Sequence, residues 1–228
     1  MKILFWDIDG TLIKTGRAGL YALDEAMQDL WRQSVDFGTI QAAGMTDYHI
    51  AAQLIERVAG RPAMQEEMDR LVSRYEELLS FHLSRREGVV LPQVREILEH
   101  LDGRDGYKSL LLTGNGRTGA ALKLQRFGLE GFFDFDNSAF CRGHLIRDEI
   151  AGLALPLARS LAADRQHHIF VIGDTPNDIR CGKQIGAYTI GVGTGGYGTD
   201  TLLEHGPWWA VNELPQPDEF LAKLDTAS

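Results

Sequence analysis

The sequence predicts an α/β fold, in which a mostly parallel sheet is covered by helices on both faces and carries an inserted all-helical segment. Two observations support this prediction. Short apolar runs of strand length alternate with helical patterns in residues 89–228, whereas residues 15–88 show helical periodicity and no convincing strand. Strands that alternate with helices are joined by right-handed crossovers and therefore lie parallel in one sheet. We predict a core domain made of residues 1–14 and 89–228 and a helical domain made of residues 15–88.

The predicted elements follow in chain order from the apolar run ILFW at residues 3–6, which is typical of a buried strand. The helical segment contains three predicted helices, in GRAGLYALDEAMQDLW, TDYHIAAQLIERVAG and RPAMQEEMDRLVSRYEELLSFHLSRRE. Beyond it, the predicted helices are QVREILEHL, RTGAALKLQRFG, DEIAGLALPLARSLAAD, NDIRCGKQIG and a C-terminal helix. The predicted strands between them are YKSLLLT, FFDF, HHIFVIGD, AYTIGV and WWAV. Pro156 is expected to kink its helix or to restart it.

The composition excludes several classes of partner. A net charge of −9 makes a basic surface for nucleic acid unlikely to form. The apolar runs are too short to span a membrane, and Asp7 interrupts the N-terminal run, so we expect neither an anchor nor a signal peptide. Cys141 and Cys181 lie far apart without metal-like spacing and are expected to be reduced thiols of a cytoplasmic protein. The oligomeric state stays open.

Polar residues follow three predicted strands. Asp7 and Asp9 end the first, Thr113 ends YKSLLLT, and Asp174 ends HHIFVIGD, with Asp178 four residues later. Ligands of parallel sheets bind beyond the carboxyl ends of the strands. Two carboxylates on the same side of a strand end repel each other, and Mg²⁺, which prefers oxygen ligands, would offset the clustered charge. The sequence therefore predicts a Mg²⁺ site; its ligands are drawn from Asp7, Asp9, Asp174 and Asp178.

These carboxylates also suit covalent catalysis. Asp7 as a nucleophile would form an aspartyl-phosphate, which splits one difficult displacement into two easier steps. Asp9 would protonate the leaving oxygen and then activate water. Thr113 would offer its hydroxyl to the phosphoryl oxygens at the start of the next helix, together with backbone N–H groups. The residues predicted to bind phosphate alongside Thr113 are Gly10, Thr11, Gly114 and Asn115.

Together these residues resemble the haloacid dehalogenase superfamily of phosphohydrolases. The resemblance consists of D-x-D-G-T at the first strand, a strand ending in Thr113, and G-D-x-x-x-D after a later strand. It implies a Rossmann-like core, with the helical segment as a small cap domain. It also implies that Asp7 is the nucleophile and Asp9 the acid/base, whose backbone carbonyl binds Mg²⁺. Asp174 would then be a direct metal ligand, and Asp178 would hold a metal-bound water.

One motif departs from the family pattern. The superfamily places a cation, commonly Lys, before a helix, where it balances the charge of the nucleophile and the phosphate. Here the corresponding segment reads GHLIRDEIAGLAL and offers Arg147, as in some phosphoglycolate-phosphatase-like members that it resembles. We predict that Arg147 fills this position, with Lys108 and Lys183 as alternatives.

The cap is expected to select the substrate. Its hinges are predicted near residues 15–16 and 86–88, and the segments TGRAG and GMTD are expected to face the substrate. Arg17 could bind a second anionic group, such as the carboxylate of 2-phosphoglycolate, although it is equally typical of a solvated arginine at a helix start. The prediction is thus a Mg²⁺-dependent phosphatase acting on a small phosphorylated metabolite, phosphoglycolate-like by resemblance.

Five alternatives compete with this prediction. A sugar phosphomutase similar to β-phosphoglucomutase shares every core motif and stays open. A haloacid dehalogenase would lack the second aspartate, which is Asp9 here, and a phosphonate-cleaving enzyme would need a cap lysine, which residues 15–88 do not contain. A catalytically silent binding protein is disfavoured because all the motif residues are present. GNGRTG and GVGTGG fit the dinucleotide fingerprint, but such matches arise by chance in a chain with 25 glycines.

Overall fold

The computed structural model describes residues 1–36, 38, 40, 42–143, 145–163 and 166–227. Within them the strands are β1 (Lys2–Trp6), β2 (Ile13–Lys14), β3 (Val89–Val90), β4 (Tyr107–Leu111), β5 (His168–Gly173), β6 (Tyr188–Val192) and β7 (Trp209–Val211). The helices are α1 (Ala18–Trp31), α2 (Asp47–Ala59), α3 (Gln65–Ser84), α4 (Val94–Leu101), α5 (Arg117–Arg126), α6 (Arg147–Ala162), α7 (Pro176–Gln184), α8 (Thr199–Glu204) and α9 (Pro217–Asp225). The predicted alternation of helices and strands in the core is therefore confirmed.

Five strands form one parallel sheet in the order β4-β1-β5-β6-β7. Strand β1 lies between β4 and β5 and pairs through Trp6 with Leu111 on one side and with Ile172 on the other. These three strands run in register and end at the same level. The residues that follow them, including Asp7 and Asp174, therefore meet at one edge of the sheet.

The apolar side chains of β1 alternate between two helical layers, as the geometry of a strand requires. Leu4 and Trp6 belong to a core cluster with residues of α4, α5 and α9. Ile3 and Phe5 belong to a second cluster with residues of α6 and α7. All four side chains are fully buried, and each such burial stabilises the fold by about 1.5–3 kcal/mol. The predicted sheet with helices on both faces is thus confirmed.

Helices α1, α2 and α3 bury a separate apolar cluster, which includes Met27, Ile55 and Leu79. The short strands β2 and β3 pair antiparallel where the chain leaves the core and where it returns. This pairing ties Ile13 to Val90 and was not expected from the sequence. The division of the chain into a core domain and a cap domain at residues 14/15 and 88/89 stays a prediction.

Two local expectations were wrong. The segment FFDF is not a strand, because the chain forms 3₁₀ turns at Glu130–Phe132 and Phe135–Asn137. Asp134 causes the second turn, since its carboxylate accepts hydrogen bonds from two following backbone N–H groups. Pro156 does not restart its helix, because α6 continues through it as one element, and the alternative expectation of a kink stays a prediction. The short helix α8 was also missed.

Two findings bear on expectations drawn from composition. None of the helices in the described part of the chain combines the length and apolarity needed to cross a bilayer. Cys141 and Cys181 are both buried free thiols, which agrees with the expectation of two reduced cysteines.

Candidate active site

The carboxyl edge of the sheet opens into a cavity of about 420 Å³ between the core and helices α1–α3. Eight of the eleven residues predicted for the site line this cavity: Asp7, Asp9, Gly10, Arg17, Gly114, Asn115, Arg147 and Asp174. The other three are buried beneath the lining: Thr11, Thr113 and Asp178. The fold therefore brings together residues from four separate parts of the sequence.

Asp7, Asp174 and Asp178 form a buried cluster of carboxylates. Oxygen atoms from the three side chains lie within 4.8 Å of one another. Burial raises the pKa of Asp174, and the charges of Asp7 and Asp178 raise it further. Burial likewise raises the pKa of Asp178, although Arg147 opposes this effect. The raised pKa values express the unfavourable energy of clustering like charges, which a bound cation would relieve.

The carboxylate cluster fits a metal ion. Oδ1 of Asp178 is buried and forms no hydrogen bond with any described residue. Its near neighbour is Nη2 of Arg147, which lies 2.5 Å away and forms an ion pair with it. Thr11 donates its hydroxyl to Oδ1 of Asp174 at 3.1 Å, so its side chain positions this carboxylate and does not line the cavity. The oxygen-only donor set suits a hard divalent cation. Asp7, Asp174 and Asp178 could therefore bind a metal.

Two glycines let the backbone approach Asp174 closely. A Cβ atom at Gly10 or at Gly195 would collide with the carboxylate of Asp174. Gly10 also has a φ of +88°, which favours glycine over any residue with a side chain. Gly195 belongs to the glycine-rich segment after β6, to which the sequence analysis assigned no function. The site thus explains one of the two glycine motifs.

Arg147 occupies the position predicted for the missing motif lysine. Its Nη2 lies 2.8 Å from Oδ1 of Asp7 and donates to the carbonyl of Leu112 at 3.1 Å. Burial would lower the pKa of Arg147, but Asp178 and Asp7 outweigh this effect and raise it. The alternatives Lys108 and Lys183 are exposed and do not line the cavity. Arg147 therefore offsets part of the charge of the buried carboxylates through its pairs with Asp7 and Asp178.

Lys123, which the sequence analysis missed, binds Asp9. Its Nζ lies 2.5 Å from Oδ2 of Asp9 and 2.6 Å from Oδ1 of Asn115. Burial would lower the pKa of Lys123, but Asp9, Tyr75 and Asp47 outweigh this effect and raise it. The sequence contains one indication of this role. Lys123 lies three residues after Ala120, on the face of α5 that is buried.

Asn115 connects this lysine to the end of β4. Its Nδ2 donates to Oγ1 of Thr113 at 2.8 Å and to Oδ2 of Asp9 at 3.0 Å. Its backbone N–H also donates to Oγ1 of Thr113. Because the hydroxyl of Thr113 accepts these bonds, its own proton stays available for donation to a ligand oxygen.

The segment GMTD of the cap docks directly against the core. The backbone N–H of Asp47 donates to the carbonyl of Gly114 at 2.9 Å, and its Oδ2 accepts from the N–H of Gly116 at 2.8 Å. Burial raises the pKa of Asp47 to about 6, although Lys123 acts in the opposite direction. Arg17 also lines the cavity, but its side chain is exposed and forms no ion pair within the described part of the chain.

Comparison with known proteins identifies the family. A family model for haloacid dehalogenase-like hydrolases matches residues 1–186, and a second model, for HAD-hydrolase-like proteins, matches residues 150–225. The chain belongs to the haloacid dehalogenase-like hydrolases. The resemblance inferred from the three motifs is confirmed.

A curated relative of this hydrolase covers most of its length. "Probable phosphatase IndB" of Dickeya dadantii (strain 3937) is 30% identical over 215 residues, which is 94% of this chain and 90% of that protein. The family and this relative both support the prediction that the chain is a phosphatase.

Solved structures share the fold of this hydrolase at low sequence identity. A hydrolase from Pseudomonas syringae is 23% identical with a TM-score of 0.70, and the match covers 100% of both chains. A HAD hydrolase, family IA, variant 3 from Entamoeba histolytica HM-1:IMSS is 18% identical with a TM-score of 0.74, covering 99% of this chain and 100% of that one. "Putative beta-phosphoglucomutase from Bacteroides vulgatus" is 18% identical with a TM-score of 0.71, covering 99% and 89%. These matches confirm the predicted Rossmann-like core.

Proposed function

We propose that this hydrolase is a Mg²⁺-dependent phosphatase that releases phosphate from a small phosphorylated metabolite through an aspartyl-phosphate intermediate. The observation that carries the proposal is the setting of Asp7. This buried carboxylate lines the cavity at the carboxyl edge of the sheet, and Arg147 holds one of its oxygens at 2.8 Å. A cation beside the nucleophile offsets the charge of an incoming phosphate.

The reaction then proceeds in two steps. A carboxylate oxygen of Asp7 bonds to phosphorus while the bond between phosphorus and the substrate oxygen breaks, and Asp9 gives its proton to the leaving alcohol. Water next attacks the phosphorus of the aspartyl-phosphate while Asp9 takes a proton from that water. The bond between phosphorus and the Asp7 oxygen breaks, which restores the Asp7 carboxylate and releases inorganic phosphate. The side chain of Asp9 lines the cavity and is 43% exposed. It can therefore reach both the leaving oxygen of the substrate and the attacking water.

The phosphoryl oxygens would be bound by the groups that follow β4. The hydroxyl of Thr113 and the backbone N–H group of Gly114 lie just before the start of α5, where the helix favours an anion. Asn115 supports them, because its N–H donates to Oγ1 of Thr113 and leaves the hydroxyl proton free for a phosphoryl oxygen. Gly10, which lines the cavity beside Asp174, would contribute backbone to the same site.

Asp7, Asp174 and Asp178 would hold Mg²⁺, with the backbone carbonyl of Asp9 as the resemblance implies. The bound ion would place positive charge next to the phosphoryl oxygens. It would also offset the negative charge of the clustered carboxylates. Oδ1 of Asp178, which is buried without a hydrogen bond among the described residues, and the oxygen-only donor set support this choice.

The test is phosphate release from a panel of phosphorylated metabolites, including 2-phosphoglycolate, with Mg²⁺ and with a chelator. Asp7→Asn should abolish release, whereas Asp218→Asn, which changes an exposed carboxylate on α9, should not. Mg²⁺ at about 100 times its Kd should raise the free energy of unfolding of the wild type by about 2.7 kcal/mol. Asp178→Asn should lose most of this stabilisation, which reports metal binding without activity.

Other outcomes would favour the alternatives. Unchanged turnover in Asp7→Asn would contradict the mechanism. A requirement for a sugar bisphosphate would favour the phosphomutase, and a folded protein that binds phosphate esters without releasing phosphate would be a silent binding protein. We also propose a cytoplasmic location, which the two free thiols support.

A further inference from the structure

The cavity extends well beyond the residues that would handle phosphate. Its volume of about 420 Å³ lies in the range of sites that bind drug-sized ligands. The catalytic groups occupy the core side, at the end of β1, β4 and β5. The cap side, formed by α1, the segment before α2 and α3, is left for the organic part of the substrate. A two-carbon acid such as glycolate would leave much of this space unfilled.

The cap side of the cavity is mainly apolar. Leu20 and Leu23 of α1, Met45 and Ile50 line it, together with Ile13 from the core. Leu20 is only partly buried and, unlike Leu23, does not belong to the apolar cluster of the cap. Its side chain therefore faces a space that is empty of protein. Covering such a surface with an apolar ligand is favourable.

Among the described residues, both buried cations that line the cavity are already paired with carboxylates. Arg147 pairs with Asp7 and Asp178, and Lys123 pairs with Asp9. The cap adds a carboxylate, Asp47, to the lining. The remaining lining cations of the described chain, Arg17 and Lys14, are exposed, as expected at the mouth of the cavity. A second anionic group deep in the cavity would thus meet no unpaired cation, which is unfavourable.

One polar group of the cap is left without a partner. Tyr75 of α3 is 2% exposed and lines the cavity. Its hydroxyl makes no hydrogen bond to any residue that the structure describes. A Cβ atom at Gly19 would lie 3.5 Å from this hydroxyl, so the absence of a side chain at position 19 leaves the oxygen accessible. The hydroxyl oxygen is thus open to the cavity and not enclosed by protein, so a ligand atom in the cavity can form a hydrogen bond with it.

From these four features we infer the class of the substrate. It is a phosphate monoester of an uncharged, mainly apolar alcohol, of about the size of an aromatic ring or larger, that carries a hydrogen-bonding atom for the hydroxyl of Tyr75. The phosphate lies at the carboxyl edge of the sheet, and the apolar body lies against Leu20. This inference specifies the substrate of the proposed phosphatase and rests on that function.

The first test removes one hydroxyl. Tyr75→Phe should be compared with the wild type on phenyl phosphate and on the isomeric hydroxyphenyl phosphates. The ratio of kcat/KM between the best hydroxyphenyl ester and phenyl phosphate should fall by about 3- to 10-fold, because only that ester can bond to Tyr75. Tyr48→Phe is the matched control, since its hydroxyl bonds to Asp69 and it does not line the cavity. An unchanged ratio in Tyr75→Phe, for every isomer, would overturn the assignment of Tyr75.

The second test separates the inference from the proposed function. Hydrolysis of acetyl phosphate reports the phosphatase chemistry without filling the apolar side. If the wild type hydrolyses acetyl phosphate but prefers 2-phosphoglycolate to the aryl esters, the inference is wrong and the phosphatase stands. If no ester releases phosphate, the inference about the substrate can still be tested by measuring how tightly the esters bind to Asp7→Asn. Calorimetry should then show phenyl phosphate binding at least about 10-fold tighter than 2-phosphoglycolate, and equal or reversed affinities would overturn the inference.

Discussion

The ammonium group of Lys123 lies 2.5 Å from Oδ2 of Asp9, although 114 residues separate them in the chain. The side chain of Lys123 is 6% exposed and therefore buried, whereas that of Asp9 is 43% exposed and accessible from the cavity. Asn115 donates to the same oxygen of Asp9. Two donors thus hold one carboxylate oxygen at the entrance to the cavity. We propose that Lys123 is a positioning residue that orients Asp9 toward the leaving oxygen.

Lys123→Met should therefore impair the protonation of the leaving oxygen by Asp9 more than the attack of Asp7 on phosphorus. General acid catalysis contributes typically about 10²–10⁴-fold, and misplacing Asp9 should remove part of this for alkyl phosphates. p-Nitrophenyl phosphate should be less affected, since its leaving group needs little protonation. Steady-state kcat on both esters measures the difference. Lys183→Met, which changes an exposed lysine on α7, is the control. Equal losses on the two esters would indicate a merely structural role.

Arg147 should stabilise the fold as well as the nucleophile. Arg147→Met leaves Asp7 and Asp178 buried without their cation, and breaking a buried ion pair typically costs about 3–5 kcal/mol. Urea unfolding measures this loss. Arg180→Met breaks an exposed pair with Asp148 and should cost less than about 1 kcal/mol. Similar losses in the two variants would contradict the assignment. The destabilisation should shrink when Mg²⁺ is present.

Two adjacent glycines offer a matched pair of variants. A Cβ atom at Gly195 would collide with the carboxylate of Asp174, whereas one at Gly196 would meet nothing within 4 Å. Gly195→Ala should displace a proposed metal ligand, and a displacement of about 1 Å can lower activity by about 100-fold. Gly195→Ala should also reduce the rise in thermal stability that Mg²⁺ induces. Gly196→Ala should keep both the activity and this stabilisation by Mg²⁺. Equal behaviour of the two variants would argue against close packing on Asp174.

Asp47 should make the stability of the fold depend on pH. Burial raises its pKa from 3.8 to about 6, so the stabilisation present below pH 3.8 is lost as the pH rises through 6. Asp47→Asn does not titrate and keeps an oxygen that can accept from the N–H of Gly116. Between pH 4 and 7, the wild type should lose about 2–3 kcal/mol relative to this variant. Urea unfolding across this range measures the difference, and a constant difference would exclude an elevated pKa.

The sequence predicted the carboxylate cluster because its geometry follows from local rules. Residues that end parallel strands meet at one edge of the sheet, so Asp7 and Asp174 could be placed together without a structure. Arg147 was predicted only by resemblance, and the structure places it 2.8 Å from Asp7. FFDF failed because aromatic residues favour a strand, whereas Asp134 favours a turn through its own hydrogen bonds.

By itself, the sequence determined the alternation of helices and strands, the family and the acidic motifs, since these depend on residue types at short spacing. Only the tertiary structure decided that Lys123 binds Asp9 and that Tyr75 lines the cavity without a partner. These relationships join residues far apart in the chain, and their distances depend on how α5 packs against the sheet and how α3 packs against α5. A lysine or a tyrosine in an amphipathic pattern carries no mark of the group it will face. Packing therefore decided which polar side chains reach the site.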